Sequence, residues 1–164
     1  MWQQNGFMQG DPDLRLCVRE LLELIEQTPE KFRNFSEDDI LRKTSPEKWS
    51  RKEILGHLID SALNNLRRFT EIQFLPQPYI IQPYDQVNLV IVNDYQHLPV
   101  QQLLNLWQTL NRQIIHVIER IPEQKLAYPV NPQYHNKEMK NLGWIIGDYV
   151  AHMKHHMKQI FPSG

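Results

Sequence analysis

The 164-residue chain has one cysteine, Cys17, so no disulfide can form within it, and the composition suits a reducing compartment. It contains no apolar run near the ~18 residues that a membrane-spanning helix needs. Its 18 Lys and Arg are offset by 19 Asp and Glu, for a formal net charge of -1. There is thus no basic surplus to neutralise phosphates, and binding of nucleic acid through a basic face is not expected. The first ten residues, MWQQNGFMQG, carry neither Lys nor Arg and no apolar core, so they do not resemble a secretory signal. A cytoplasmic protein is expected, and the sequon Asn34-Phe35-Ser36 then has no glycosylation to report. With only six glycines the chain holds no glycine-rich phosphate loop, and CxxC, HExxH and GxSxG are also missing. Nor are there the two Glu-x-x-His pairs of a ferritin-like di-iron site. What the chain does have is eleven prolines, seven histidines and strong helical periodicity.

Four amphipathic helices account for most of the residues. The first runs from about Pro12 to Glu26, with Leu14, Val18, Leu21, Leu22 and Ile25 at three- and four-residue spacing. Asp11 before Pro12 reads as its cap, and Pro29 as a kink or stop near its end. A polar stretch from Ser36 to Pro46 follows. Ser50 with Glu53 has capping-box spacing and opens a second helix running to about Phe74. Residues 75–99 form a long connection with four prolines and a short helix near Asp85–Val92. Pro99 opens the third helix, closed by Pro122, and a polar loop leads to a fourth from Leu142 to Ile160. No strand is evident. The pattern predicts an all-α four-helix bundle: a tail at residues 1–10 taken as flexible, then one domain over residues 11–162. The long second connection lets helices 2 and 3 run parallel.

Chemistry concentrates on the fourth helix, in Ala151-His152-Met153-Lys154-His155-His156. His152 and His156, at i and i+4, stack on one face about 6 Å apart and can turn two ring nitrogens to one cation at roughly 2.1 Å each. Measured from the apolar stripe through Ile146, Tyr149 and Met153, His156 lies about 60° away, His152 about 100° and His155 about 160°, toward solvent. A pair at this spacing arises readily by chance among seven histidines, so a third ligand from another helix has to support it. His57 is the best candidate. It shares a polar stripe with Ser61, Asn64 and Arg68 that suits either a solvated face or the lining of a cleft. His116 lies opposite the apolar stripe of its helix, while His97 and His135 fall in loops. Cys17 reads as a packed hydrophobe, and the tryptophans as core or lid residues. Asp60 and Gln159, one turn beyond His57 and His156, are placed to orient the imidazoles.

The stretch PEKWSRKEILGHLIDSALNNLRRF, followed by PYDQ, NDY and GDYVAHMKHHMKQI, resembles the DinB/YfiT-like superfamily over nearly the whole chain. Its specific elements are Trp49-Ser50, Gly56-His57-Leu58 with Asp60-Ser61, and the closing H-x-x-x-H-x-x-Q-I. The resemblance implies a bundle in up-down-down-up order with a long crossover between helices 2 and 3. It also implies one divalent metal ion per chain, nickel or zinc, held by His57, His152 and His156 with an open coordination position. His155 is not a ligand in that scheme. The implied function is a metal-dependent hydrolase, or an S-transferase using a low-molecular-weight thiol such as bacillithiol, acting on a small-molecule substrate as a homodimer. Such a centre can activate water or hold a thiol as thiolate, and the sequence leaves that choice open. A non-catalytic metal-binding or interaction bundle is the alternative.

Overall fold

Asp13 begins the first helix by accepting a hydrogen bond from the Arg15 amide at 2.9 Å, and the helix continues for twenty residues. The computed structural model describes residues 13–133 and 138–162. The expected tail at residues 1–10, the Asp11-Pro12 cap and His135 lie outside the described residues. Helix α1 spans Leu14–Arg33, seven residues beyond the expected end at Glu26, with Pro29 inside it. Proline cannot donate to the carbonyl four residues back. Here the Gln108 side chain donates to that Ile25 carbonyl at 2.8 Å, so the helix passes through the proline with its acceptor satisfied.

The polar stretch after α1 holds a short helix that periodicity did not reveal, α2 (Glu37–Leu41), capped by Ser36. Helix α3 (Arg51–Glu71) opens on the expected capping box: Ser50 accepts from the Glu53 amide at 3.1 Å and Glu53 accepts from the Ser50 amide at 2.8 Å. The crossover carries α4 (Gln86–Val92) where a short helix was expected, capped by Asp85. A 3-10 turn over Tyr95–His97 leads into α5 (Val100–Ile118). Helix α6 occupies Leu142–Ile160, as the sequence predicts.

The expectation of no strands is corrected. Strands β1 (Tyr79–Ile80), β2 (Pro129–Asn131) and β3 (Lys140–Asn141) form a small sheet in that order, β1 parallel and β3 antiparallel to β2. Two or three residues are too few to show alternation, so pairing rather than pattern creates them.

Side-chain contacts fix the helix directions. Glu20–Lys154, Thr28–Met157 and Phe32–Phe161 advance together, so α1 and α6 are parallel. Arg51 donates to the Ile160 carbonyl while Phe69 packs on Tyr149, so α3 runs against α6. Ser50 bonds Gln96 just ahead of α5, which brings the starts of α3 and α5 to one end. The result is the up-down-down-up bundle. Helices α1 and α3 each pack on both α5 and α6, which leaves α1 diagonal to α3.

The core gathers Leu21, Ile25, Leu55, Leu58, Phe69, Trp107, Ile114 and Met153. Helix α3 is buried on nearly every side from Lys52 to Ala62, because α4 and the Tyr95 turn cover the side that the bundle leaves open. Among the described residues no helix is long and apolar enough to cross a membrane.

Candidate metal centre

The Ser50–Glu53 box fixes where α3 starts and so sets His57 in its second turn, completely buried. At the head of α6, Asn141 accepts from the Trp144 amide at 2.7 Å, and this start phases His152 and His156 toward α3. The three rings meet. His57 Nε2 lies 3.2 Å from His152 Nε2, which lies 3.1 Å from His156 Nε2. One nitrogen from each ring falls within 4.8 Å of the others, and among the described residues no carboxylate or thiol joins them. Ligands about 2.1 Å from a common ion stand roughly 3.0–3.4 Å apart, so the spacing and the all-imidazole donor set fit one divalent cation.

The protonation pattern agrees with that use. Burial, reinforced by the neighbouring imidazoles, pulls His57 down to about 3 and His152 down to about 4. Burial also lowers His156, partly opposed by its bond to Gln159. The rings are therefore neutral at ordinary pH, as ligands must be. Gln159 Oε1 lies 2.8 Å from His156 Nδ1, and since that oxygen only accepts, the proton sits on Nδ1 and the inward Nε2 keeps its lone pair. Gln159 thus orients His156 as its spacing suggests, and its amide reaches His155 at 3.1 Å.

Other expectations need correction. The stripe through His57 and Ser61 is no solvated face: both residues are buried, and Asn64 and Arg68 are half-buried. Its polar character hid a burial that comes from the crossover. Asp60 does not bond His57. Its Oδ1 accepts from the Tyr95 hydroxyl at 2.6 Å and from Asn93 Nδ2 at 3.1 Å. Burial raises the Asp60 carboxyl and these two donors hold it back. Trp49, read only as a core or lid residue, lies 4.9 Å from the His57 ring at a 33° tilt and walls the site. Tyr95 stands in the NDY of the family resemblance but has no role there, because its contact with Asp60 depends on a turn that begins fifteen residues after β1 ends. His155 is exposed, like His97 and His116, and Cys17 is buried as a packed hydrophobe.

A pH dependence follows for the metal-free protein. Unfolded histidine binds its proton near pH 6.5, whereas folded His57 refuses it until about pH 3. Below pH 6.5 the unfolded state holds the extra proton, so stability is lost as pH falls from there toward pH 3. One fully buried histidine contributes about 1.4 kcal/mol per pH unit, or a Tm loss of roughly 3–5 °C between pH 6 and 5. Melts of chelator-treated wild type should therefore fall more steeply with acid than those of His57→Gln; parallel curves would refute it.

The sequence pattern of the DinB superfamily matches residues 18–160. Among solved structures, YfiT from Bacillus subtilis, described as a probable metal-dependent hydrolase with an unusual four-helix bundle topology, superposes with a TM-score of 0.81. It is 19% identical, and the match covers 98% of this chain and 89% of that one. A mycothiol-dependent maleylpyruvate isomerase superposes with a TM-score of 0.67 at 10% identity, over 89% of this chain and 60% of the isomerase. At these identities the likeness is one of fold. No curated protein matches the chain in sequence.

Proposed function

The chain belongs to the DinB superfamily, and from that premise we propose that it is a metal-dependent enzyme acting on a small-molecule substrate. In this reading His57, His152 and His156 hold one divalent ion, nickel or zinc. The reaction is hydrolysis, or transfer involving a low-molecular-weight thiol such as bacillithiol. The observation that carries the proposal is the convergence of three neutral imidazole nitrogens from two helices. The description of YfiT as a probable metal-dependent hydrolase supports the first chemistry, and that of the isomerase as mycothiol-dependent supports a thiol. A cytoplasmic homodimer without nucleic-acid or membrane partners completes the proposal.

A divalent ion in this setting supplies a Lewis acid that lowers the pKa of a bound water or thiol. The chain supplies the rest. His57, fully buried and backed by Trp49, forms the floor of the site and shuts bulk solvent out from that side. His152 and His156 are half-buried and so border the side from which a substrate enters. Gln159 holds the His156 proton away from the centre. An all-imidazole set leaves the positive charge of the ion undiminished, which suits catalysis better than a closed structural site.

The test is metal analysis of the purified protein, with turnover of an ester panel and of thiol-reactive electrophiles plus thiol, during chelator titration. The expected result is about one ion per chain, with activity lost at chelator levels that leave helicity intact. Stoichiometric metal, no turnover and unfolding on chelation would instead establish a non-catalytic metal-binding bundle.

A further inference from the structure

Two polar atoms one turn apart on α3 are buried without a hydrogen-bond partner among the described residues: His57 Nδ1 and Asp60 Oδ2. Residues at i and i+3 of a helix are neighbours, with Cβ atoms about 5–6 Å apart. The Asp60 carboxylate is not free to turn away, because Tyr95 and Asn93 both donate to its other oxygen. Tyr95 is itself fixed, its ring lying so close to Gly56 that no Cβ would fit between them. The second oxygen therefore has a set direction and, among the described residues, no donor, and it sits one helical turn from an imidazole nitrogen in the same condition. A buried polar group left unmet is costly, and a bridging buried water is the usual remedy.

We infer that Asp60 is a positioning residue for the metal centre: through one buried water it holds the His57 proton on Nδ1 and so presents the Nε2 lone pair to the ion. The water accepts from Nδ1–H and donates to Oδ2. A neutral imidazole has a single proton, and a proton on Nε2 would block ligation and point at His152, 3.2 Å away. Tyr95 and Asn93 anchor the other carboxylate oxygen from the crossover, which leaves Oδ2 alone to face the water. The functional consequence rests on the three-histidine reading above, but the tautomer exists without metal.

Asp60→Asn tests this. It keeps an oxygen for Tyr95 and Asn93 but turns the water-facing atom into a donor, leaving the water nothing to donate to. In metal-free wild type, nitrogen-15 NMR should show His57 protonated on Nδ1. In Asp60→Asn the population should move toward Nε2–H, and calorimetry with zinc should show affinity about 10–100-fold weaker. Tyr95→Phe, which leaves Oδ2 in place, should keep the wild-type tautomer. Nε2–H in wild type, a test that needs no variant to fold, would overturn the inference. So would an unchanged tautomer and affinity in Asp60→Asn. Wild type that binds no zinc yet shows the tautomer shift would sink the metal reading and leave the relay standing.

Discussion

Purified His57→Ala protein is expected to contain no stoichiometric nickel or zinc. His57 is the single member of the cluster contributed by α3, so its loss leaves an i, i+4 pair on α6 with half-buried rings. Four-ligand zinc sites bind with about 10–16 kcal/mol, or roughly 3–4 kcal/mol per ligand, so one missing imidazole weakens binding by about 10²–10³-fold. Calorimetry with zinc and metal analysis after dialysis both read this. His152→Ala should behave the same way. His155→Ala removes an exposed ring that meets the edge of His156, with 5.2 Å between centroids, but lies outside the ligand set, and it should retain near wild-type affinity. Full metal content in His57→Ala would show that the three nitrogens do not act together.

The largest effect on folding is expected from Gly56→Ala. A Cβ on Gly56 would lie 2.1 Å from Cδ2 of Tyr95 and 2.2 Å from its Cγ, inside any permitted contact. The nearest atoms belong to the base of the ring, so a small side-chain adjustment does not relieve them. Tyr95 would have to leave, taking its 2.6 Å bond from the buried Asp60 carboxylate. Overpacking of a filled core costs about 1–3 kcal/mol, and the stranded carboxylate adds to it. A total of about 3 kcal/mol or more corresponds to a Tm loss of roughly 6–12 °C in a chain of this length. Thermal denaturation would show it, and a loss under about 2 °C would mean that the turn carrying Tyr95 yields freely.

These two residues also mark what the sequence reveals and what it hides. The bounds of α6 and the start of α3 are legible because each rests on local signals: a capping residue, an apolar period and a terminal proline. The pairing of His152 with His156 is legible for the same reason, since helix geometry alone brings them together. Burial of His57 is not, because it depends on Trp49 and the α6 imidazoles closing over its ring while the crossover covers the rest of a stripe that reads as polar. The resemblance to a family supplied that link where periodicity left it open. The passage of α1 through Pro29 was hidden too, since it depends on Gln108, distant in sequence, to serve the abandoned carbonyl. Asp60 shows the limit of spacing arguments: one turn from His57 puts it nearby, yet Tyr95 and Asn93 claim the oxygen.

His57 and His152 stand 95 residues apart in sequence. An ion gripping both is therefore a removable staple, tying the first half of the chain to its final helix around almost the entire bundle. Closing a loop that long costs the unfolded polymer about 4 kcal/mol of entropy, which the folded scaffold has already met before the ion arrives. Capture of metal would then report on completed assembly, because the rings meet only where α3 and α6 are both in place.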